Sequence, residues 1–318
     1  MAKVKIYVDG QEGTTGLEIN DRLKKREDLE ILKIAQDKLF DVEERRKYIN
    51  RADIVFLCLP DEVAIESVSL IDGDNLSTRV IDASTAHRTA DGWVYGLPEL
   101  SPEHRKNIAD AKRLANPGCF PTGFNALVYP LVRENILPPD YPVTCCAVTG
   151  YSGGGINLIN IFESEENKGK LNSPCFYSLP MRHKHLPEMQ KHSGLLNPPV
   201  FTPIIGGFYR GMTVAVPLRT DAFKSKINAA EINAFYKNYY NKQNFIKIAP
   251  TNVQDEFEWG FMNAESCNNT NNLEILVFGH DDCVLLAARL DNLGKGASGA
   301  AVQNMNIMLG IDETYGII

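Results

Sequence analysis

The chain of 318 residues has no long hydrophobic run. Its apolar stretches, such as 54–59 and 284–288, fall well short of the ~20 residues a membrane-spanning helix needs. It also has no long basic tract. Lys and Arg number 33 against 40 Asp and Glu, a net charge of −7, which disfavours a protein that lives on nucleic acid or anionic lipid. Cysteine occurs seven times, an odd and scattered set with no Cys-x-x-Cys pair, so a disulfide scaffold and a structural zinc site are poor readings. No repeat or low-complexity segment stands out. The opening Met1-Ala2-Lys3-Val4-Lys5 runs into a strand-like stretch and resembles no signal peptide. With 44% hydrophobic and 23% charged residues, the expectation is a cytoplasmic globular protein with free thiols and a core large enough to need no staples.

The first hundred residues alternate between two patterns. Short apolar runs at 3–9, 29–35, 53–59 and 79–82 are separated by helix-like stretches at 15–26, 41–50 and 61–70. Strands buried on both faces read as continuous apolar runs, so this is the pattern of a doubly wound α/β domain. Beyond 116 the pattern changes. Strands are expected at 143–149, 201–208, 212–218, 273–278 and 284–290, with helices at 122–134, 156–165, 226–240 and 297–309. That half predicts an α+β domain on a mainly antiparallel sheet.

Gly10-Gln11-Glu12-Gly13-Thr14-Thr15-Gly16 follows the first strand and opens the first helix. Glycines there allow a tight turn and close approach to a pyrophosphate, and the helix N-terminus favours anions. An ordinary strand-to-helix turn is the bland alternative, and the placement favours dinucleotide binding. Asp37 lies where an acid would bind a ribose hydroxyl and favour NAD; Lys38 beside it would instead meet a 2′-phosphate, and both cofactors stay open.

Asn116-Pro117-Gly118-Cys119-Phe120-Pro121-Thr122 puts Cys119 at a helix N-terminus, where free amides stabilise a thiolate and an oxyanion. A small buried residue in a turn is the equal alternative. Arg182-His183-Lys184-His185-Leu186-Pro187-Glu188 offers the histidine that such a nucleophile needs. It also reads as a basic surface segment, or as a His-x-His metal pair with no supporting ligand cluster. Asp82-Ala83-Ser84-Thr85-Ala86-His87-Arg88 sits at the carboxyl end of the fourth strand, where Ser84 would touch cofactor and Arg88 an oxyanion, or where a capped loop simply meets solvent. Gly150-Tyr151-Ser152-Gly153-Gly154-Gly155 permits close backbone approach to a ligand or is merely a flexible helix entry, Asn292-Leu293-Gly294-Lys295-Gly296-Ala297 is a glycine-rich helix start that offers a second ligand contact, and Arg210-Gly211 joins two strands, where a plain hairpin turn is the bland reading.

Taken in order, these motifs and Asn304 in the closing stretch resemble the N-acetyl-γ-glutamyl-phosphate reductases of the shorter bacterial type, within the semialdehyde dehydrogenase superfamily. The resemblance covers essentially the whole chain. It implies a Rossmann-like NADP-binding domain of residues 1–118 and 292–318, and a catalytic and dimerisation domain of 119–291. It implies reduction of an acyl phosphate to a semialdehyde and phosphate through a Cys119 thioester, in arginine biosynthesis, with NADP(H) as cofactor and no metal; Asp37 is the one residue at odds with that cofactor. His185 would be the acid/base and His183 its runner-up, with Arg88, Arg210 and Ser152 on substrate. Gly10, Gly13, Thr14, Thr15 and Gly16 would cradle the pyrophosphate, and Ser84, Gly154, Gly294 and Asn304 would lie nearer the nicotinamide. The partners implied are the small-molecule substrate, phosphate and further copies of the chain as dimer or tetramer, with no nucleic acid or membrane. Aspartate-β-semialdehyde dehydrogenase and a non-enzymatic NADP-binding regulator on the same fold are the rival readings; the Thr85-Ala86-His87-Arg88 and His183–Glu188 signatures speak for the acetylated substrate.

Overall fold

The alternating first hundred residues fold as β1 (Val4–Asp9), α1 (Thr14–Leu23), β2 (Leu29–Leu32), α2 (Val42–Arg51), β3 (Ile54–Leu57), α3 (Asp61–Ser69) and β4 (Arg79–Asp82), followed by β5 (Val94–Tyr95), α4 (Pro102–Asp110) and β6 (Arg113–Ala115). The computed structural model describes residues 3–224 and 227–317. All neighbouring strands in this six-stranded sheet run parallel, in the order β2-β1-β3-β4-β6-β5. The order reverses at β1 and β3, which opens the crevice where open α/β sheets take ligands. Every residue of β3 is buried, as strands covered on both faces require.

The second half contains α5 (Cys119–Arg133), β7 (Thr144–Gly150), α6 (Gly155–Glu163), β8 (Cys175–Phe176), α7 (Leu186–Ser193), β9 (Val200–Gly206), β10 (Met212–Arg219), α8 (Ala229–Tyr239), β11 (Ile246–Ile248), β12 (Leu273–Gly279) and β13 (Cys283–Leu290). Its seven-stranded sheet has the order β11-β12-β13-β10-β7-β9-β8. The pairs β7·β9 and β11·β12 are parallel and the other four antiparallel. Because β7 lies between β9 and β10, residues 207–211 form no hairpin turn, a correction to the bland reading of Arg210-Gly211. The helix expected over 226–240 begins at Ala229, behind an Asn228–Glu231 capping box, and Lys226 lies outside the described residues. A π-turn at Gly294–Ser298 then leads into α9 (Gly299–Met308).

Two compact units result: Met1–Gly118 with Ala297–Ile318, and Cys119–Gly296. In the first, α9 is buried along its whole length. Its polar side chains are bonded inward, Asn304 Nδ2 donating to Gly96 O at 2.8 Å and Asn306 Oδ1 accepting from Arg26 at 2.9 Å. No helix of the described residues is long and apolar enough to cross a membrane.

In the second unit, alternate residues Met212, Val214, Val216 and Leu218 on β10, and Val284, Leu286, Ala288 and Leu290 on β13, pack with Phe124, Leu127 and Leu131 of α5. Gly123 lets the helix approach: a β-carbon there would stand 2.9 Å from Val214 Cγ2. Pro130 lies inside α5 and has no N–H, which deprives the Ala126 carbonyl of its helical partner. The Tyr240 hydroxyl replaces it, donating to Ala126 O at 2.8 Å, while Tyr236 donates to Leu127 O. Tyr240→Phe should therefore cost about 1–3 kcal/mol in urea denaturation, the penalty of a buried unpaired carbonyl. Adding Pro130→Ala, which restores the N–H, should recover most of that loss; an undiminished loss in the double variant would refute this account.

Candidate active site

Three of the loop glycines meet different constraints. Gly10 has φ +86°, and its β-carbon would lie 2.4 Å from Cys58 O; that of Gly16 would lie 2.3 Å from Gly10 O. The chain's own packing demands glycine at both. At Gly13 a β-carbon would make only ordinary contacts, at 3.6 Å, so the turn itself does not require glycine there. Gly13 caps α1 without a side-chain hydrogen bond, and no acidic side chain stands in the first turn, which opens with Thr14 and Thr15. The Thr14 hydroxyl oxygen is buried with no hydrogen-bonding partner among the described residues. Uncapped amides, an orphaned hydroxyl and no opposing carboxylate in that turn fit a pyrophosphate. Asp37 is exposed in a 3₁₀ turn, and Lys38 pairs with Asp41 at 3.3 Å.

At the end of β4 the fully buried Asp82 carboxylate accepts from Ser84 N (2.9 Å) and Ser84 Oγ (2.7 Å), and lies 2.6 Å from His87 Nδ1. The His87 ring stacks on Trp93 at 3.9 Å. The Ser84 hydroxyl is thus engaged within its own loop. Arg88 is also buried, donating from Nε to Asn116 O (3.0 Å) and from Nη2 to Ala83 O (2.9 Å). These bonds tie the 83–88 loop to the end of β6. Asn304 donates to Gly96 O and Asn116 Oδ1, and its own Oδ1 is buried with no partner among the described residues, an acceptor left for a ligand.

In the second unit Cys119 is the first residue of α5. The π-turn packs directly on it, for a β-carbon on Gly296 would lie 2.8 Å from Cys119 Cβ. Asp291 holds that turn: its carboxylate accepts from Leu293 N at 2.9 Å and Asn269 N at 2.7 Å, and its carbonyl accepts from Gly296 N at 2.9 Å. The same carboxylate lies 3.4 Å from Arg210 Nη1, which also donates to Asn269 Oδ1 at 2.7 Å. Asn292 donates to Ser152 Oγ (3.0 Å) and accepts from Gly211 N (2.8 Å). Arg210 and Ser152 are therefore brought into one network. At Gly154 a β-carbon would meet Leu158 Cδ2 at 2.4 Å, and at Gly294 it would meet Thr270 O at 2.5 Å, so internal packing accounts for both glycines.

His185 caps α7 and is buried; His183 stands two residues before it. Both rings pack edge-on against Phe120, the neighbour of Cys119, with centroids at 5.9 and 5.8 Å. His183 Nδ1 accepts the His185 backbone N–H at 3.1 Å, which uses the lone pair a metal would need, and Nε2 lies 3.4 Å from the Tyr177 hydroxyl. Burial, and then the charge of Lys184, push the His183 pKa down to about 4. Burial, and then the charge of Cys119, raise that of Tyr177. Tyr177 and Asp291 are site residues that sequence reasoning passed over, and Asn292 entered only as the start of a glycine-rich stretch; a lone tyrosine or aspartate carries no local signal of such contacts.

A family model described as "Semialdehyde dehydrogenase, NAD binding domain" matches residues 5–108, and one described as "Semialdehyde dehydrogenase, dimerisation domain" matches 119–292. A protein of Nostoc sp. (strain PCC 7120) named N-acetyl-gamma-glutamyl-phosphate reductase 2 is 47% identical over 100% of both chains. One of Brucella ovis, named N-acetyl-gamma-glutamyl-phosphate reductase, is 45% identical over 97% of this chain and 99% of its own. A solved aspartate semialdehyde dehydrogenase from Francisella tularensis has a TM-score of 0.72, covering 96% of this chain and 100% of its own at 13% identity, a likeness of fold alone.

The depressed His183 has a consequence for stability. The unfolded chain takes up this proton near the ordinary value of 6.5 and the native state only near 4. The unfolded state therefore binds more protons across that window, and stability falls as pH drops through it. Denaturation midpoints of the parent should decline from pH 6.5 to 4 by more than those of His183→Asn; parallel declines would contradict the assignment.

Proposed function

The chain belongs to the semialdehyde dehydrogenase family, among the N-acetyl-γ-glutamyl-phosphate reductases, and from that membership we propose that it reduces N-acetyl-γ-glutamyl phosphate to N-acetyl-L-glutamate 5-semialdehyde and phosphate in arginine biosynthesis, with NADPH. The observation that carries the chemistry is the meeting, within one unit, of Cys119 at the first turn of α5 with two imidazoles packed on Phe120.

In this reading Cys119 Sγ bonds the acyl carbon, the phosphate leaves with the bonding pair, and a thioester holds the carbon in place. The positive end of the α5 dipole favours both the thiolate and the oxyanion. His185 takes the thiol proton, delivers a proton to the acyl oxygen as the hydride adds, and takes it back as the C–S bond breaks, so that aldehyde and thiol are released. His183, neutral and with Nδ1 committed to the main chain, serves beside it. Arg210, oriented by Asp291 and still partly exposed, is assigned to an anionic group of the substrate, next to Ser152. Arg88 spends two donors on backbone carbonyls and enters as a positioning residue for the Asn116 segment that leads to Cys119.

Gly10, Gly13, Thr14, Thr15 and Gly16 would hold the cofactor's pyrophosphate, with the Ser84 loop and Asn304 Oδ1 toward the nicotinamide; Gly154 and Gly294 would contribute backbone only. When bound, NADPH supplies the hydride that reduces the thioester. A homo-oligomer, dimer or tetramer, is part of the proposal, supported by the dimerisation-domain match, as is a cytoplasmic setting.

The test follows NADP⁺ reduction by N-acetyl-glutamate semialdehyde and phosphate, the reverse reaction. Turnover should exceed that with aspartate semialdehyde by at least ~10²-fold. Cys119→Ser should lose at least ~10³-fold in kcat, with NADPH affinity within about twofold of the parent. A Cys119→Ser protein that keeps turning over removes the nucleophile, and a preference for aspartate semialdehyde removes the substrate. Arg210→Ala should raise KM about tenfold or more if Arg210 meets a substrate anion; unchanged kinetics would take it out of the site.

A further inference from the structure

Between Tyr177 and His183 the chain makes an exposed loop in which two residues other than glycine, Ser178 (φ +53°) and Met181 (φ +59°), occupy the left-handed region. Such residues persist only where surrounding contacts hold them. Leu179 is 73% exposed, so this loop is not held by burying its apolar side chains. It is held at its ends. Tyr177 N donates to Pro203 O of β9 at 3.2 Å, which anchors one end to the sheet. His183 forms the other end, walled by Phe120, Phe201 (ring centroids 5.3 Å) and Tyr177 (5.6 Å).

The hydrogen bonds of His183 set its tautomer. Nδ1 accepts the His185 N–H, so in the neutral ring the proton sits on Nε2 and is offered to the Tyr177 hydroxyl oxygen. The walls of this box are aromatic, so packing alone gives no reason for two polar ring atoms here. The box adjoins the reacting residue, for its wall Phe120 follows Cys119 in the chain and the charge of Cys119 bears on Tyr177.

We infer that Tyr177 and His183 are a positioning pair for the acid/base: a clasp that closes the strained 178–182 loop and clamps the His185 main chain, setting where that imidazole stands. The inference rests on the reading of His185 as the acid/base.

Kinetics of acyl-phosphate reduction with NADPH test it. His183→Phe keeps an aromatic ring there and loses both bonds, and kcat should fall by ~10²-fold at unchanged KM for the acyl phosphate, the scale of one misplaced acid/base. In His183→Asn a side-chain oxygen near the Nδ1 position can still accept from His185 N–H, and it should recover about tenfold of that loss while the pH profile of kcat keeps its parental midpoint. Tyr177→Phe should cost about three- to tenfold alone and no more than about twofold on top of His183→Phe, because the link is already cut. The proposal is overturned if His183→Asn loses as much as His185→Asn, since His183 would then itself move the proton, or if Tyr177→Phe and His183→Phe multiply. Should His183→Phe fail to fold, His183→Asn decides alone: a loss under about thirtyfold supports the clasp and a larger one overturns it. Should His185→Asn prove harmless, the acid/base reading fails instead, and that variant reports it separately.

Discussion

Gly296 and Cys119 approach so closely that a β-carbon on the glycine would stand 2.8 Å from the cysteine's own and 3.2 Å from Asp291 O. Only hydrogen fits there. Much of the second unit's polar architecture serves that contact. Asp291 folds the π-turn by accepting backbone N–H groups with its carboxylate and its carbonyl. A fully buried carboxylate needs a cation or several donors to be tolerated, and Arg210 supplies the cation. Asn292, next in sequence, reaches Ser152 and Gly211. One short segment thereby places the first residue of α5, a partly exposed guanidinium and a serine hydroxyl.

The helix behind Cys119 is held with similar economy. Gly123 admits Val214 of the sheet, and Pro130 leaves a carbonyl that Tyr240 takes up. The aromatic wall of Phe120, Phe201 and Tyr177 around His183 makes protonation of that ring costly, as burial does for any base. Two histidines separated by one residue thus acquire different chemistry: the neutral ring of His183 holds the main chain, while His185 caps α7 beside Phe120.

In the first unit the distinctions are as fine. Gly10 and Gly16 are glycine because the backbone just after β3 and that of the loop itself crowd them, whereas no described residue crowds Gly13. A fully buried Asp82 organises the loop after β4, drawing Ser84 and His87 onto one carboxylate. Arg88 stitches that loop to Asn116, and Asn116 is in turn bonded by Asn304. The loops at the carboxyl ends of the strands are cross-linked by these side chains.

The parallel sheet was legible because strands buried on both faces must be apolar throughout, and the helices between them carry their own periodicity. α4 was not, since Ile108 is its only buried residue, and β5 and β8 are two residues each, too short for any period. The glycine loop, Cys119 and the His-x-His stretch could be picked out because backbone freedom, helix ends and nucleophile chemistry leave marks on residue type at a single place in the chain. The use of each donor left no such mark. That the donors of Arg88 go to backbone carbonyls, that Tyr177 joins the site and that Arg210 lies on no hairpin depend on residues 28, 6 and tens of positions away. The sequence by itself determined the longer, periodic elements, the glycine turns and the reactive residue types, through local steric and hydrophobic demands. Only the tertiary structure decided which polar atoms are spent and which remain for a ligand, because burial and hydrogen-bond partnership are set by neighbours that the chain brings together from afar.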